Sequence, residues 1–170
     1  GLAVYDPDID GLRAFTEAEG FAGGDVLELY QAGDDVWCRT DQGLSRFRPR
    51  SRVFTNFASH SIGGSEVRTF VLDGDRVWVG TENGLSGFEP SSDTFVPFPQ
   101  GAALLGRSIA GVETFTDYLF ITTDREVVQL HKQNRSIRRF AAADGLDRAE
   151  GARGTLMSGG VLTVLFPDAV

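Results

Sequence analysis

Two segments of this 170-residue chain repeat one another at a spacing of 41 residues, and this repeat limits the fold more than any other feature. The clearer copy reads DRVWVGTENGLSGFEP and runs from Asp75 to Pro90, and the earlier copy, DDVWCRTDQGLSRFRP, runs from Asp34 to Pro49. A decayed copy follows at residues 117–131, and half-units stand at the ends, at residues 1–7 and 160–165. A period of about 42 residues is typical of architectures in which each unit buries its apolar face against the next.

Each unit predicts four short antiparallel strands. In the clearest unit, alternating apolar and polar residues occupy residues 66–72, 76–81, 85–89 and 94–98, which we name strands A, B, C and D. Clusters of Gly, Asn and Asp separate A from B and B from C, and these residues tolerate the positive φ of tight turns. Helical repeats of similar length are excluded because no stretch has a helical period. The sequence therefore predicts an all-β chain of β-propeller blades.

Large apolar residues recur at equivalent positions of the units. They are Trp37, Trp78, Phe120 and Leu162 on strand B, and Phe15, Phe57, Phe98 and Phe140 on strand D. We interpret them as the core between neighbouring blades, because a blade can bury its two faces only against other blades.

The best conserved stretch between the two copies carries a known motif. Val77–Thr81, Gly84–Leu85 and Phe88–Pro90 resemble the two-component-regulator propeller repeats of bacterial hybrid sensor ectodomains, whose blade reads roughly D-x-x-L-W-I-G-T-x-x-G-L-x-R-Y-D-P. Residues 34–49 match it less well, and the likeness fades after residue 110. WD40 repeats are disfavoured because their Gly-His and Trp-Asp signatures are absent. The resemblance implies a sensory role, an extracytoplasmic (periplasmic) location and a family that usually has seven or more blades. A cytoplasmic location is the alternative, because a single cysteine is compatible with either compartment.

The two ends of the chain decide how many blades there are. Residues 25–57, 66–98 and 108–140 make three blades of a single domain, and residues 1–15 with 150–166 supply the C–D and A–B halves of a fourth. Joining these halves predicts a closed four-bladed ring with Phe166 beside Gly1 and no exposed sheet edge. The alternative is an arc of a larger seven- or eight-bladed propeller.

Composition and charge exclude several classes of function. The chain has 24 acidic and 16 basic residues, a net charge of −8, so a nucleic-acid partner is not expected. The longest apolar run, within Val161–Phe166, is far shorter than the roughly 20 residues that a membrane helix needs. Cys38 is the only cysteine, so no internal disulfide can form, and its position in strand B predicts a small buried hydrophobe.

A ring of polar residues is predicted at one mouth of the propeller channel. Asp25, Glu66, Ser108 and Glu150 are spaced by 41, 42 and 42 residues, and each precedes an inner strand A. Such oxygen ligands suit Ca²⁺ or Mg²⁺, and crowded acids attract basic ligands. The alternative is that strand starts are polar because they are solvated.

A second candidate site lies in the first hairpin. Asp6, Asp8, Asp10 and Glu17 fit the calcium-loop pattern D-x-[DN]-x-[DN]-G-x5-E at every specified position. However, the flanking segments are predicted strands rather than helices. An ordinary Pro/Asp/Gly hairpin is the alternative interpretation.

Local signatures of catalysis are missing. The chain has no nucleophile elbow, P-loop, CxxC pair or HExxH motif, and His60 and His131 are predicted on opposite faces of the propeller. We therefore predict a non-enzymatic module whose loops bind a small ligand or a partner protein. The alternatives are a lyase or hydrolase with a divalent metal ion at the acidic mouth, and a structural subunit of a larger assembly.

Overall fold

The computed structural model describes residues 1–64, 66–98, 104, 106–146 and 152–165. In that part, the chain forms sixteen strands: β1 (Leu2–Asp6), β2 (Gly11–Phe15), β3 (Val26–Ala32), β4 (Asp35–Thr40), β5 (Gly43–Arg48), β6 (Val53–Ala58), β7 (Val67–Asp73), β8 (Arg76–Thr81), β9 (Gly84–Glu89), β10 (Thr94–Pro97), β11 (Ile109–Phe115), β12 (Tyr118–Thr123), β13 (Val127–His131), β14 (Ile137–Phe140), β15 (Gly154–Ser158) and β16 (Val161–Leu165). Helix α1 (Ser59–Ile62) and 3₁₀ turns at Glu17–Glu19 and Ala142–Asp144 lie between strands. Within these ranges the helices are too short to span a bilayer.

The strands form antiparallel sheets in the order of the chain. β3 to β6, β7 to β10 and β11 to β14 make three four-stranded sheets, which we name blades 1, 2 and 3. β1–β2 and β15–β16 make two-stranded sheets at the ends. The first strands of blades 2 and 3 lie next to each other, and β11 also packs against β15 of the last hairpin. The predicted all-β architecture of propeller blades is therefore confirmed.

The two halves of the predicted fourth blade are not joined in the described part of the chain. These halves, β1–β2 and β15–β16, belong to separate sheets there, and Phe166 lies outside the described residues. A ring closed by a split blade and the alternative, an arc of a larger seven- or eight-bladed propeller, therefore both stay predictions. Sequence pattern predicts which strands can pair, but closure also requires a particular angle between successive blades. That angle depends on how the side chains between two sheets pack, which the pattern alone does not specify.

The last unit is also displaced by one residue from the predicted alignment. In blade 3, Phe115 pairs with Tyr118 across the A–B turn Thr116-Asp117. In the last unit, Ser158 pairs with Val161 across the turn Gly159-Gly160, which therefore lies 43 residues later rather than 42. Thr163, not Leu162, therefore occupies the position of Trp78. Since side chains alternate between faces along a strand, this shift assigns Leu162 to the opposite face of the hairpin from the one predicted.

Aromatic side chains fill the spaces between blades, as predicted. Between blades 1 and 2, Trp37 stacks on Phe57 at 5.7 Å and meets Phe88 edge-on at 5.2 Å. Between blades 2 and 3, Trp78 lies edge-on to Phe98 at 5.5 Å. Such geometries add to the hydrophobic gain of burial. Phe120 and Phe140 are only partly buried, because beyond blade 3 the described chain offers a hairpin in place of a whole blade.

Candidate functional site

The same β-bulge occurs at the start of the first strand of each blade. The pairing of β3 with β4 shifts between Val26 and Glu28, that of β7 with β8 between Val67 and Thr69, and that of β11 with β12 between Ile109 and Gly111. Each bulge therefore contains one extra residue, which is Leu27, Arg68 or Ala110. Bulges bend a strand and redirect its side chains, and they are frequent beside functional sites.

The second strand of each blade carries a different residue opposite the bulge, and this difference opens a cleft between the inner strands. A Cβ atom on Gly80 of β8 would lie 2.5 Å from Cγ2 of Ile109, so glycine lets blade 3 approach blade 2 closely. In blade 3 the equivalent of Gly80 is Thr122, and there a glycine of the first strand, Gly111, leaves room for Thr155 of β15. In blade 1 the equivalent of Gly80 is Arg39. There, among the described strands, β3 and β7 do not pack against each other as β7 and β11 do.

A cavity of about 460 Å³ occupies the space between these inner strands. We name it the axial cleft; its polar lining comprises Glu28, Tyr30, Arg39, Arg68, Thr69, Glu113, Arg153 and Thr155, and its apolar lining includes Phe70, Val71, Val112 and Leu156. Concave sites with a few convergent polar groups are the usual location of ligands in propellers and other barrels.

Arg39 is the central cation of the cleft. Its Nη2 donates to Glu28 Oε1 at 3.0 Å, its Nη1 donates to the carbonyl of Val67 at 3.2 Å, and the side chain is only 15% exposed. Its Nε is buried without a hydrogen-bond partner among the described residues. A buried unpaired donor is costly, and such a group usually has an ordered water or an ion as its partner.

Two further groups of the cleft have shifted acid–base properties. Burial raises the pKa of Tyr30, and the charges of Glu28 and Glu113 raise it further, so its hydroxyl is a neutral donor at physiological pH. Burial also raises the pKa of Glu113, against the opposing effect of a hydrogen bond from the Met157 backbone. The ring of Tyr30 lies edge-on to Phe70 at 4.9 Å, which fixes one wall of the cleft.

The predicted ring at the channel mouth is only partly described. Asp25 and Glu66 are exposed and Ser108 is half-buried, each just before an inner strand, whereas Glu150 lies outside the described residues. The N–H of Asp25 donates to Asp41 Oδ1 at 3.2 Å, and that of Glu66 donates to Glu82 Oε2 at 2.9 Å. Two acids of the B–C turns, Asp41 and Glu82, therefore accept hydrogen bonds from the residues that precede the inner strands. Their spacing of 41 residues is the sequence signal that could have identified them.

Of the four residues of the predicted calcium loop, Asp6, Asp8, Asp10 and Glu17, two have carboxylates that bind other groups of the protein. Asp6 Oδ1 accepts the N–H of Asp8 at 3.1 Å, and its Oδ2 pairs with Arg52 at 2.6 Å. Asp10 Oδ1 accepts the hydroxyl of Tyr5 at 2.7 Å. No group of three or more acidic, His or Cys side chains in the described ranges is arranged to hold a metal ion. Calcium or another divalent cation at this hairpin or at the channel mouth stays a prediction.

The remaining reactive side chains lie apart from one another. His60 is exposed on α1, whereas His131 ends β13, where its Nδ1 accepts the N–H of Gln133 at 3.2 Å. Cys38 is fully buried in β4, and burial raises the pKa of its thiol to about 11. Neither a Cys–His pair nor a pair of histidines is formed by these residues.

Comparisons with solved structures identify the architecture. An extracellular domain assigned to a hybrid two-component system of B. thetaiotaomicron matches 92% of this chain with a TM-score of 0.65 and 21% identity. Another extracellular domain of that organism, assigned to a one-component system, matches 86% with a TM-score of 0.65 and 14% identity. The chain has their fold. PorZ, an essential surface component of the type-IX secretion system of Porphyromonas gingivalis, matches 91% with a TM-score of 0.67 and 11% identity.

These matches concern part of larger proteins. The chain spans about a fifth of the length of each of these structures, namely 20% and 21%. No protein-family profile matches the chain, and no curated protein matches it significantly. The likeness agrees with the resemblance of the repeat motif to hybrid sensor ectodomains, and at this level of identity it shows the shared fold.

Proposed function

We propose that this chain is a non-enzymatic binding module from the extracytoplasmic part of a bacterial sensor, and that its ligand binds in the axial cleft. The observation that carries the proposal is Arg39, a cation of the cleft lining whose side chain is only 15% exposed and whose Nε has no hydrogen-bond partner among the described residues. Two of the structures with this fold are extracellular domains of signalling systems, and a third is a bacterial surface component. They support an extracytoplasmic location for this chain.

The charges of the cleft favour a ligand with a carboxylate or another anionic group. Its lining has three arginines, Arg39, Arg68 and Arg153, against two glutamates, Glu28 and Glu113. Glu28 already pairs with Arg39, so its charge is balanced within the lining. The cleft is thus locally cationic in a chain whose net charge is −8. Guanidinium groups bind carboxylates through paired hydrogen bonds, and Tyr30 adds a neutral hydroxyl donor.

Binding can be tested with probes that differ only in charge. Succinate and L-glutamate are compared with succinamide and L-glutamine by thermal shift and by titration calorimetry. We expect the charged probes to raise the melting temperature and the amides to have no effect. Arg68→Gln should remove the rise, whereas Arg50→Gln, which alters an exposed ion pair with Asp34, should leave it unchanged. Equal effects of charged and neutral probes would refute an anion-selective cleft.

The location is tested separately, in cells that express the complete natural protein. Protease added to intact cells should remove an epitope placed in the exposed turn at Ser91-Ser92, while a cytoplasmic control protein stays intact. Protection of that epitope until the cells are lysed would contradict an extracytoplasmic sensor.

A further inference from the structure

The four inner strands place equivalent residues around the axial cleft. β3, β7, β11 and β15 each end at a two-residue turn, so residues at equal distances before these ends are equivalent. The residues two positions before the ends all line the cleft, and we name them the lower tier: Tyr30, Val71, Glu113 and Leu156. Five positions before the ends, three of the four residues line it, and we name these the upper tier: Arg68, Ala110 and Arg153.

The upper tier supplies two cations that can bind a ligand. The side chain of Arg68 is 44% exposed and pairs at 3.4 Å with Glu66, which is 62% exposed. An exposed pair of this kind contributes little to stability, so a ligand can take the place of Glu66. Arg153 is exposed and forms no ion pair within the described ranges, whereas Arg39 already has Glu28 as its partner. The guanidinium groups of Arg68 and Arg153 are therefore available to carboxylates.

The lower tier holds a carboxyl group that lacks a cation. Glu113 is half-buried and accepts the backbone N–H of Met157. Burial raises the pKa of this carboxyl, and within the described ranges no positive charge opposes the effect. The other members of the lower tier are uncharged. An ammonium group of a ligand placed beside Glu113 would therefore supply the missing partner.

The distance between the tiers suits a small ligand. Three residues of strand separate them, or about 10 Å of backbone, and the long side chains of Arg68, Arg153 and Glu113 can narrow this gap. Thr155 stands between the tiers and lines the same cleft, and its hydroxyl is buried without a hydrogen-bond partner among the described residues. This hydroxyl can donate to a ligand or accept from it. A molecule of amino-acid size can therefore contact both tiers within the cleft.

We propose that the ligand of the axial cleft is an acidic amino acid, whose two carboxylates bind Arg68 and Arg153 and whose ammonium group binds Glu113. This rests on the proposed function, because it specifies the ligand of the same cleft. With Glu28 balanced by Arg39, the lining offers two free positive charges and one negative charge, and an acidic amino acid carries the opposite set. A simple dicarboxylate leaves Glu113 without a partner, and a neutral amino acid leaves one arginine without a carboxylate. Complementary charges of this kind mainly determine specificity.

L-Glutamate and glutarate separate this proposal from the proposed function. The two probes share a carbon skeleton with two carboxylates, but only L-glutamate has an ammonium group. A cleft that selects by net charge alone binds glutarate, the more highly charged anion, more tightly. We expect titration calorimetry to give a dissociation constant for L-glutamate at least fivefold below that for glutarate. If glutarate binds as tightly or more tightly, the acidic amino acid is refuted and the anion-selective cleft stands; if neither probe binds, both proposals fail.

Two variants with the same change of charge locate the ammonium group. Glu113→Gln should raise the dissociation constant of L-glutamate at least tenfold and should not weaken the binding of glutarate, because an amide cannot balance an ammonium group. Glu89→Gln, at the end of β9 and outside the cleft lining, should alter neither affinity. Equal weakening of both probes by Glu113→Gln, or equal responses of the two variants, would contradict this assignment. The comparison of the two probes on the unmodified chain decides the proposal if Glu113→Gln does not fold.

Discussion

Adding one methyl group at Gly80 should destabilise the fold by about 1 kcal/mol, because two blades meet there without space for a side chain. A Cβ at this position would lie 2.5 Å from Cγ2 of Ile109 and 2.8 Å from Cγ2 of Thr69. Ile109 is completely buried, so it cannot move into solvent. Overpacking of this kind destabilises a protein by about 1–3 kcal/mol, and replacing glycine by alanine offsets about 0.4–1 kcal/mol of this because it lowers the conformational entropy of the unfolded chain.

Gly154→Ala is the matched control for this variant. Gly154 also lies in a strand with an ordinary φ, but nothing lies within 4 Å of its added Cβ. Only the entropy gain applies, so Gly154→Ala should be more stable than the unmodified chain by about 0.4–1 kcal/mol. Urea unfolding followed by tryptophan fluorescence measures both changes, since Trp37 and Trp78 are buried between blades.

The cause of the expected loss is tested by a double-mutant cycle. Ile109→Ala removes the Cγ2 atom that a methyl group on Gly80 would meet most closely and leaves space into which the strands can relax, so the loss from Gly80→Ala should become smaller in that background. We expect a coupling energy of about 1 kcal/mol in favour of the double variant. If Gly80→Ala matches Gly154→Ala in stability, or if the two changes are additive, the close approach of blades 2 and 3 is refuted.

Three further predictions concern buried polar groups. Arg46 is buried over aromatic rings and pairs with Asp93 at 2.6 Å; because Met preserves the packing, Arg46→Met should cost less in urea unfolding than Asp93→Ala, which leaves a buried cation and should cost about 1–2 kcal/mol. Because the pKa of Glu113 is raised, its protonated carboxyl favours the folded state below the unfolded value of 4.5, and this contribution is lost as the pH rises through the folded pKa. Glu113→Gln does not titrate, so its stability relative to the unmodified chain should increase between acidic and neutral pH. With a pKa of about 11, the Cys38 thiol should react with iodoacetamide at pH 8 only after unfolding, and rapid labelling of the folded chain would contradict its burial.

The repeat in the sequence predicts the strands well because it carries both turn chemistry and the alternation of apolar residues. Trp37 and Trp78 are buried as their pattern requires. Closure of the ring was not predictable in this way, since it depends on side-chain volumes between blades. The shifted register of the last hairpin follows from the Gly159-Gly160 turn, which the 42-residue spacing alone misplaces by one residue.

The axial cleft arises where the sequence departs from its own repeat. Val79-Gly80-Thr81 of blade 2 corresponds to Cys38-Arg39-Thr40 of blade 1, so comparison of the two copies locates the exception. A glycine there lets two blades meet, whereas an arginine keeps them apart and supplies a cation. Identical units would give identical contacts around the axis and no distinct site. A distinct site therefore requires that one unit differ from the others. The substitution disturbs the fold least where it keeps the strand pairing, and β4, which carries Arg39, still pairs with both β3 and β5. In this chain the repeat supplies the rigid frame, and one departure from it, at Arg39, supplies the candidate binding site.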